Sequence, residues 1–182
     1  MAECEFAMFE TAVGLCALIW RGERIAGVQL PESDPRATRS RVARRFPSSR
    51  EAESSPMARH AIERIAASLD GTPVDLGDLP LDESGLEPFA RHVYAVARAI
   101  AAGTTATYGE IADRIGDPGS ARAVGRALGA NPFPVVVPCH RVLAAGGRIG
   151  GFSAGEGAST KRRLLEIENA RFGAGPDLFA AA

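Results

Sequence analysis

Asn131-Pro-Phe-Pro-Val-Val-Val-Pro-Cys-His-Arg-Val142 is the stretch on which the reading of this chain turns. Val135, Val136 and Val137 form a continuous β-branched run, the pattern of a strand covered on both faces. Pro132, Pro134 and Pro138 bracket it, and each fixes φ and removes a backbone donor. The expectation is a rigid buried strand that ends at Cys139. His140 and Arg141 follow, and a thiol needs such a base or cation nearby to become a thiolate. A lone cysteine after an apolar run is more often a small buried hydrophobe. Adjacent strand residues also face opposite ways, so Cys139 and His140 need not touch. These residues alone give a candidate nucleophile and no reaction.

Working outward, Phe89, Val93, Val96, Ala97 and Ile100 share one face of an expected helix over 88–102, stopped by Gly103. Thr104, Thr105 and Thr107 make a short extended approach to a second helix, Tyr108 to Ile115. Asp117-Pro118-Gly119 is the turn after it. Ser120 has the character of an N-cap for a third helix, Ala121 to Gly129. The second and third helices across a glycine turn read as a helix-turn-helix. Leu143 to Ile149, with Gly146-Gly147 at its tip, reads as a hairpin-like wing. A last helix over 160–169 turns Leu164, Leu165 and Glu168 inward, and the residues after Phe172 read as a loose tail. Between 101 and 163 there are eight basic and four acidic residues, a surplus of four in a chain whose formal net charge is −1. Positive charge is thus gathered on the half that carries Cys139.

Toward the amino terminus, residues 5–9, 15–20 and 25–30 read as three antiparallel strands, joined at Gly14 and at the Arg21–Arg24 turn. Cys4, Cys16 and Trp20 are expected to pack that sheet. A short helix over 38–46 is followed by loop, then by a helix over 60–70. The acidic, proline-containing stretch 76–86 reads as a boundary. The fold class is therefore α+β: a small amino-terminal antiparallel sheet with helices (1–84), then a mainly α domain with a helix-turn-helix and wing (85–182). The 182 residues include three cysteines, too few and odd in number for a disulfide framework. No apolar run is long enough to span a membrane, and Glu3, Glu5 and Glu10 do not suit a secretory signal. A cytoplasmic location, reducing as a reactive thiol requires, is expected. Cys4 and Cys16 have no histidine nearby, so no metal is expected.

Pro138-Cys-His-Arg-Val142, preceded by Asn131-Pro132, resembles the active-site signature of the O6-alkylguanine-DNA alkyltransferases. Thr107-Tyr-Gly-Glu-Ile-Ala112, Ala121-Arg-Ala-Val-Gly125, Gly150-Gly-Phe-Ser153, Lys161, Leu164-Leu165 and Glu168 fall at that family's spacings. The resemblance is specific from about Phe89 to Glu168. It implies direct-reversal repair, in which Cys139 takes the alkyl group from O6-alkylguanine in one irreversible turnover. His140 would draw the thiol proton through a water, and Glu168 would orient that histidine. Tyr108 would help rotate the nucleotide out of the duplex. The helix carrying Arg122, Ala123, Gly125 and Arg126 would enter the minor groove, with Arg122 filling the gap. Pro134, Val142, Phe152 and Ser153 would form the substrate pocket, Ser153 bonding the departing oxygen and backbone carbonyls at Cys139 and Val142 reading the exocyclic amine. Asn131 would be a hinge, and Arg141 a structural arginine paired with an acid.

The resemblance further implies double-stranded DNA containing O6-alkylguanine as partner, a monomer, and no cofactor, metal, nucleotide or membrane. Phe152 stands where many relatives have tyrosine, and Ala154-Gly-Glu-Gly157 replaces a more regular glycine pair. The competing reading is a non-catalytic alkylation-damage recognition protein with a winged-helix domain, which Cys139 argues against. A winged-helix regulator leaves Pro138 to Arg141 unexplained, and a cysteine hydrolase leaves the helix-turn-helix idle.

Overall fold

A computed structural model describes residues 3–173. β1 (Glu5–Thr11), β2 (Gly14–Arg21) and β3 (Arg24–Gln29) form an antiparallel meander, with β1 and β2 in register from Glu5 opposite Trp20 to Thr11 opposite Gly14. This is the sheet that the alternation of residue types predicts. A fourth strand, β4 (Arg50–Glu51), lies parallel beside β1, giving the order β3-β2-β1-β4. A loop was expected there. Two residues carry no readable period, and the pairing is made by backbone groups: Arg50 N donates to Cys4 O and Ala52 N to Phe6 O.

β2 is buried on both faces. Cys16, Leu18 and Trp20 point one way, Ala17 and Ile19 the other. Helix α1 (Pro35–Arg45) closes the second face, where Val42 joins Cys4, Ala17 and Ile19. Helix α2 (Pro56–Leu69) closes the first, where Ala58, Ala61, Ile65 and Leu69 meet Phe9, Cys16, Leu18 and Trp20. Each fully buried Leu or Ile side chain here contributes roughly 1.5–3 kcal/mol. Both helices begin earlier than apolar spacing indicated. Asp34 Oδ1 accepts from Ala37 N at 2.8 Å and Ser55 Oγ from Ala58 N at 3.2 Å, and each cap precedes a proline in the first turn. A proline there loses no helical hydrogen bond, so polar caps set these starts.

The core that includes β2 and α2 continues into α3 (Pro88–Arg98), α4 (Tyr108–Arg114) and α5 (Ala121–Gly129) through Val93, Tyr94, Ala97, Ile111, Ala112, Val124 and Leu128. Helix α3 ends four residues short of expectation. The chain turns after Ala99, which lets Ile100 O accept Arg141 Nη1 at 2.5 Å. β5 (Ala106–Thr107) pairs in parallel with β6 (Val142–Leu143), and α6 (Ala158–Ile167) closes the half. Residues 143–149 are therefore not a hairpin wing. Leu143 is paired to Thr107, and the segment is tied to itself by Ala144 N to Arg148 O (2.9 Å) and Arg148 Nε to Ala145 O (3.2 Å), around Gly146 and Gly147 at φ 73° and 71°.

The valine run is buried, at 3 % exposure or less, but it is not a strand. Val135 sits at φ 76°, Val137 N donates back to Phe133 O, and Cys139–Arg141 form a short 3-10 turn. Three prolines without N–H groups cannot sustain a ladder, so packing rather than pairing buries these valines. The tail expected after Phe172 lies, from residue 174 on, outside the described residues. Among the described residues no helix is long and apolar enough to cross a membrane.

Candidate active site

Helix α4 is started by a capping box. Thr107 Oγ1 accepts from Glu110 N at 3.1 Å, and Glu110 Oε2 accepts from Thr107 N at 2.6 Å. This fixes Tyr108 as the first helical residue. Ser120 does not cap α5 as expected: its backbone is already near-helical (φ −80°, ψ 14°), and its Oγ is buried without a partner among the described residues. A side-chain cap needs extended backbone, and the turn from Asp117 to Ser120 denies it. On α5, Arg122 and Arg126 are exposed, Ala123 is half-buried, and Gly125 faces the Tyr108 ring, which a Cβ there would meet at 3.9 Å.

Directly after α5, Asn131 turns its side chain into the proline-rich segment. Its Nδ2 donates to Val137 O (3.0 Å) and to Cys139 Sγ (3.2 Å), and its Oδ1 accepts from Phe133 N (2.9 Å). One buried amide thus fastens the end of α5 to the thiol. Asn131→Ala leaves Phe133 N unpaired in the interior and Val137 O with Cys139 N alone. It is expected to cost about 1–3 kcal/mol, visible as a lower urea midpoint at unchanged slope; a midpoint equal to wild type would show that this amide fastens nothing.

The 3-10 turn brings His140 and Arg141 onto Glu168, the residue that ends α6. His140 Nε2 lies 2.9 Å from Glu168 Oε1, and Arg141 Nη2 lies 2.7 Å from the same oxygen with Nε 3.0 Å from Oε2. Glu168 is therefore the acidic partner of Arg141 as well as of His140. His140 is 1 % exposed, and its Nδ1 has no partner among the described residues. Burial works against ionisation of Glu168, yet hydrogen bonds and charge from His140 and Arg141 hold its carboxyl down at about 2. Burial lowers the basicity of His140 against the pull of Glu168. Burial also pushes the Cys139 thiol up, opposed by the Asn131 hydrogen bond and the charge of Lys161. At rest the pair is thus a thiol beside a neutral imidazole, with an ionised carboxylate behind.

Cys139 lies at a cavity of about 440 Å³ lined by Tyr108, Gly125, Leu128, Gly129, Gly151, Phe152 and Ser153. That volume is in the range of sites for small organic groups, a nucleobase included. Burial raises the Tyr108 phenol, so it keeps its proton and can donate. Two residues expected in the pocket are not in its lining. Pro134 is buried within the turn, and Val142 is fully buried in β6 with its carbonyl accepting Lys161 Nζ at 2.6 Å. Ser153 is in the wall, with its Oγ donating to Gly129 O at 2.5 Å. Leu128, Gly129 and Gly151 were not assigned to the pocket from sequence, because small and apolar residues carry no chemical signal. Lys161, the only lysine in the chain, is fully buried, with its Nζ 5.7 Å from the Tyr108 ring centroid. Its place at the family's spacing pointed to it from sequence, and its burial bears on the site, since a buried lysine needs a reason.

The described site coincides with a known sequence family: residues 88–170 match the 6-O-methylguanine DNA methyltransferase DNA binding domain. The methylated-DNA–protein-cysteine methyltransferase of Mycobacterium tuberculosis (strain ATCC 25618 / H37Rv) is 44% identical over 119 residues, covering 65% of this chain and 70% of the relative. The chain belongs to the methylated-DNA–protein-cysteine methyltransferase family. Solved structures agree with this. Mycobacterium tuberculosis OGT in complex with DNA aligns with TM-score 0.72 at 32% identity, over 91% of this chain and 92% of that one. The O6-methylguanine-DNA methyltransferase of the archaeon Pyrococcus kodakaraensis KOD1 aligns with TM-score 0.69 at 26% identity, over 92% of this chain and all of its own. The α+β architecture is thus that of methylated-DNA–protein-cysteine methyltransferases along nearly its whole length, while the matched domain runs from α3 to just past α6.

Proposed function

We propose that the protein repairs O6-alkylguanine in double-stranded DNA by moving the alkyl group onto its own Cys139, once per molecule. The observation that carries this is a thiol in the wall of a base-sized cavity, next in sequence to a buried histidine that is paired to Glu168, in a chain of this family. The O6 substituent lies inside the duplex, so the nucleotide must be turned out, at a cost of a few kcal/mol. The half-buried helix α5 presents Arg122, Ala123 and Arg126 beside the cavity mouth, suited to occupy the minor groove while Tyr108 crowds the target phosphate. The residues up to 84 serve as a structural domain and those from 85 as the DNA-binding and acceptor domain.

In the reaction the Sγ–C bond forms as the C–O6 bond breaks, and the electron pair goes to the purine. The thiol proton passes to His140, whose free Nδ1 suits a bridging water, and Glu168 stabilises the imidazolium that results. The phenol of Tyr108 can supply the purine with the proton it needs, and the proton on His140 then passes through solvent to the phenolate and restores the phenol. Lys161 beside the thiol favours the thiolate. The product is a thioether, which water does not displace, and among the described residues no neighbouring group is placed to remove it. The protein acts in the cytoplasm as a monomer.

The exposed arginines of α5 and the charge surplus of this half lead to a second expectation. With about three or four phosphate contacts, the log–log dependence of duplex affinity on salt has a slope near −3. Fluorescence anisotropy over a salt series measures it, and a slope near zero would sink the DNA-binding part of the proposal. The overall reaction is tested by intact-protein mass spectrometry after incubation with a duplex carrying one O6-methylguanine. One added methylene on Cys139 is expected; tight binding with no added mass would favour the damage-recognition reading.

A further inference from the structure

Phe152 and Ser153, which wall the cavity, belong to a loop held at two ends by different halves of the protein. At one end Ser153 Oγ donates to Gly129 O of α5. At the other, Gly155 is pressed against the amino-terminal sheet. It adopts φ +55°, and a Cβ there would sit 3.0 Å from Pro31 O and 2.7 Å from Thr160 Oγ1. Thr160 Oγ1 in turn accepts from Glu156 N at 2.9 Å, which locks the loop to the first turn of α6. One turn further along α6, Arg163 reaches back to the β1–β2 turn, donating from Nη2 to Ala12 O at 2.6 Å and from Nη1 to Val13 O at 3.3 Å. Pro31 leads out of β3 and also packs on Gly14, where a Cβ would meet it at 3.2 Å. A cavity of about 210 Å³ lined by Val13, Pro31, Glu32, Glu156, Ser159, Thr160 and Arg163 marks the seam.

We infer that this seam is a backstop: through Pro31–Gly155 and Arg163–Ala12/Val13, the amino-terminal sheet sets the position of the Phe152–Ser153 wall and hence which alkyl groups the cavity accepts. The inference rests on the alkyl-transfer reading. None of these residues reaches the cavity, so they are positioning residues that act through the wall. Their geometry is suited to that role. Arg163 spans two carbonyls with its planar fork, which a point charge cannot do. Gly155 admits a backbone approach that any side chain would block, in a left-handed conformation that favours glycine. Without the backstop the wall can recede. A methyl group then loses its alignment with the thiol, whereas a benzyl group gains room. Displacement by about 1 Å can cost ~10²-fold in rate, and one methylene is worth about 10–200-fold in discrimination, so effects of this size are readable.

The test uses the full chain and two variants, Arg163→Ala and Gly155→Ala. Single-turnover transfer is measured from matched duplexes carrying O6-methylguanine or O6-benzylguanine. Each variant is expected to lower the methyl rate by roughly tenfold and to raise the benzyl-to-methyl ratio by at least about threefold, with undamaged-duplex affinity unchanged. A merely structural role would lower Tm or slow both substrates equally, and would leave the ratio alone. An unchanged ratio in a folded variant overturns the inference. Should Gly155→Ala fail to fold, Arg163→Ala decides alone, since its side chain is exposed. Wild-type protein that transfers neither group would instead overturn the alkyl-transfer reading beneath.

Discussion

Cys139→Ala is expected to take up no alkyl group from an O6-methylguanine duplex, while wild-type protein is expected to gain one methylene and stop at one equivalent. The variant is expected to fold. The side chain loses only Sγ, and Asn131 Nδ2 keeps Val137 O as its acceptor at 3.0 Å. Loss of a buried sulfur leaves a small void, a cost of the order of 1 kcal/mol. Duplex affinity is expected to persist, because the exposed arginines of α5 do not depend on the thiol. The contrast separates two roles that the same half of the molecule performs. Transfer falls to zero because the acceptor is also the nucleophile, so no residual catalysis by the rest of the site can be read out, unlike in a turnover enzyme. Peptide mapping of the wild-type product locates the adduct. A methylene that still appears on the alanine variant would mean that Cys4, Cys16 or another residue is the acceptor. Cys16 is a poor candidate, since burial pushes its thiol up to about 12.

The sheet and most helices were legible because their signals are local. The apolar run of β2, buried on both faces, and the 3.6-residue spacing of α3 survive into the fold because each is read from near neighbours in the chain. Failures occurred where a non-local partner decides. The valine run was read as a strand since β-branched residues are usually buried that way. In the fold Val137 O accepts from Asn131 Nδ2 and from Cys139 N, and Val135 takes a positive φ that its residue type does not announce. Leu143 was read as the start of a wing, but with Val142 it forms β6, which pairs with Ala106–Thr107, more than thirty residues earlier. In the candidate site, Cys139, His140, Asn131, Arg141 and Glu168 could be named from the resemblance, and the fold gathers them. What bonds to what was not legible. Val142 O is bonded to Lys161 instead of facing the cavity, and the wall takes Leu128, Gly129 and Gly151 in place of Pro134 and Val142. Those outcomes depend on where α6 lies over the turn, which no short motif encodes.

Glu168→Gln tests the network that α6 completes, and it should be the most damaging single change that removes no reacting atom. The carboxylate side chain is 8 % exposed and serves His140 and Arg141 together. An amide of the same size offers one acceptor, and it aims donors at the Arg141 fork and at Gly103 N. It also leaves the guanidinium of Arg141, 10 % exposed, without its counter-charge. Breaking a buried pair from one side costs about 3–5 kcal/mol. Alkyl transfer should slow by roughly 10²–10⁴, since the imidazolium loses its stabilising partner, while duplex affinity stays. The pH dependence gives a sharper check. In the folded protein this carboxyl is depressed from 4.5 to about 2. A depressed acid stabilises the fold at pH above its unfolded value, and that contribution drains away as pH falls toward the folded value. The difference in urea midpoint between wild type and Glu168→Gln should therefore be full at neutral pH and shrink between about pH 4.5 and pH 2. A gap that stays constant across that window would mean that the loss comes from packing, and that the charge on Glu168 does not hold His140 and Arg141 in place.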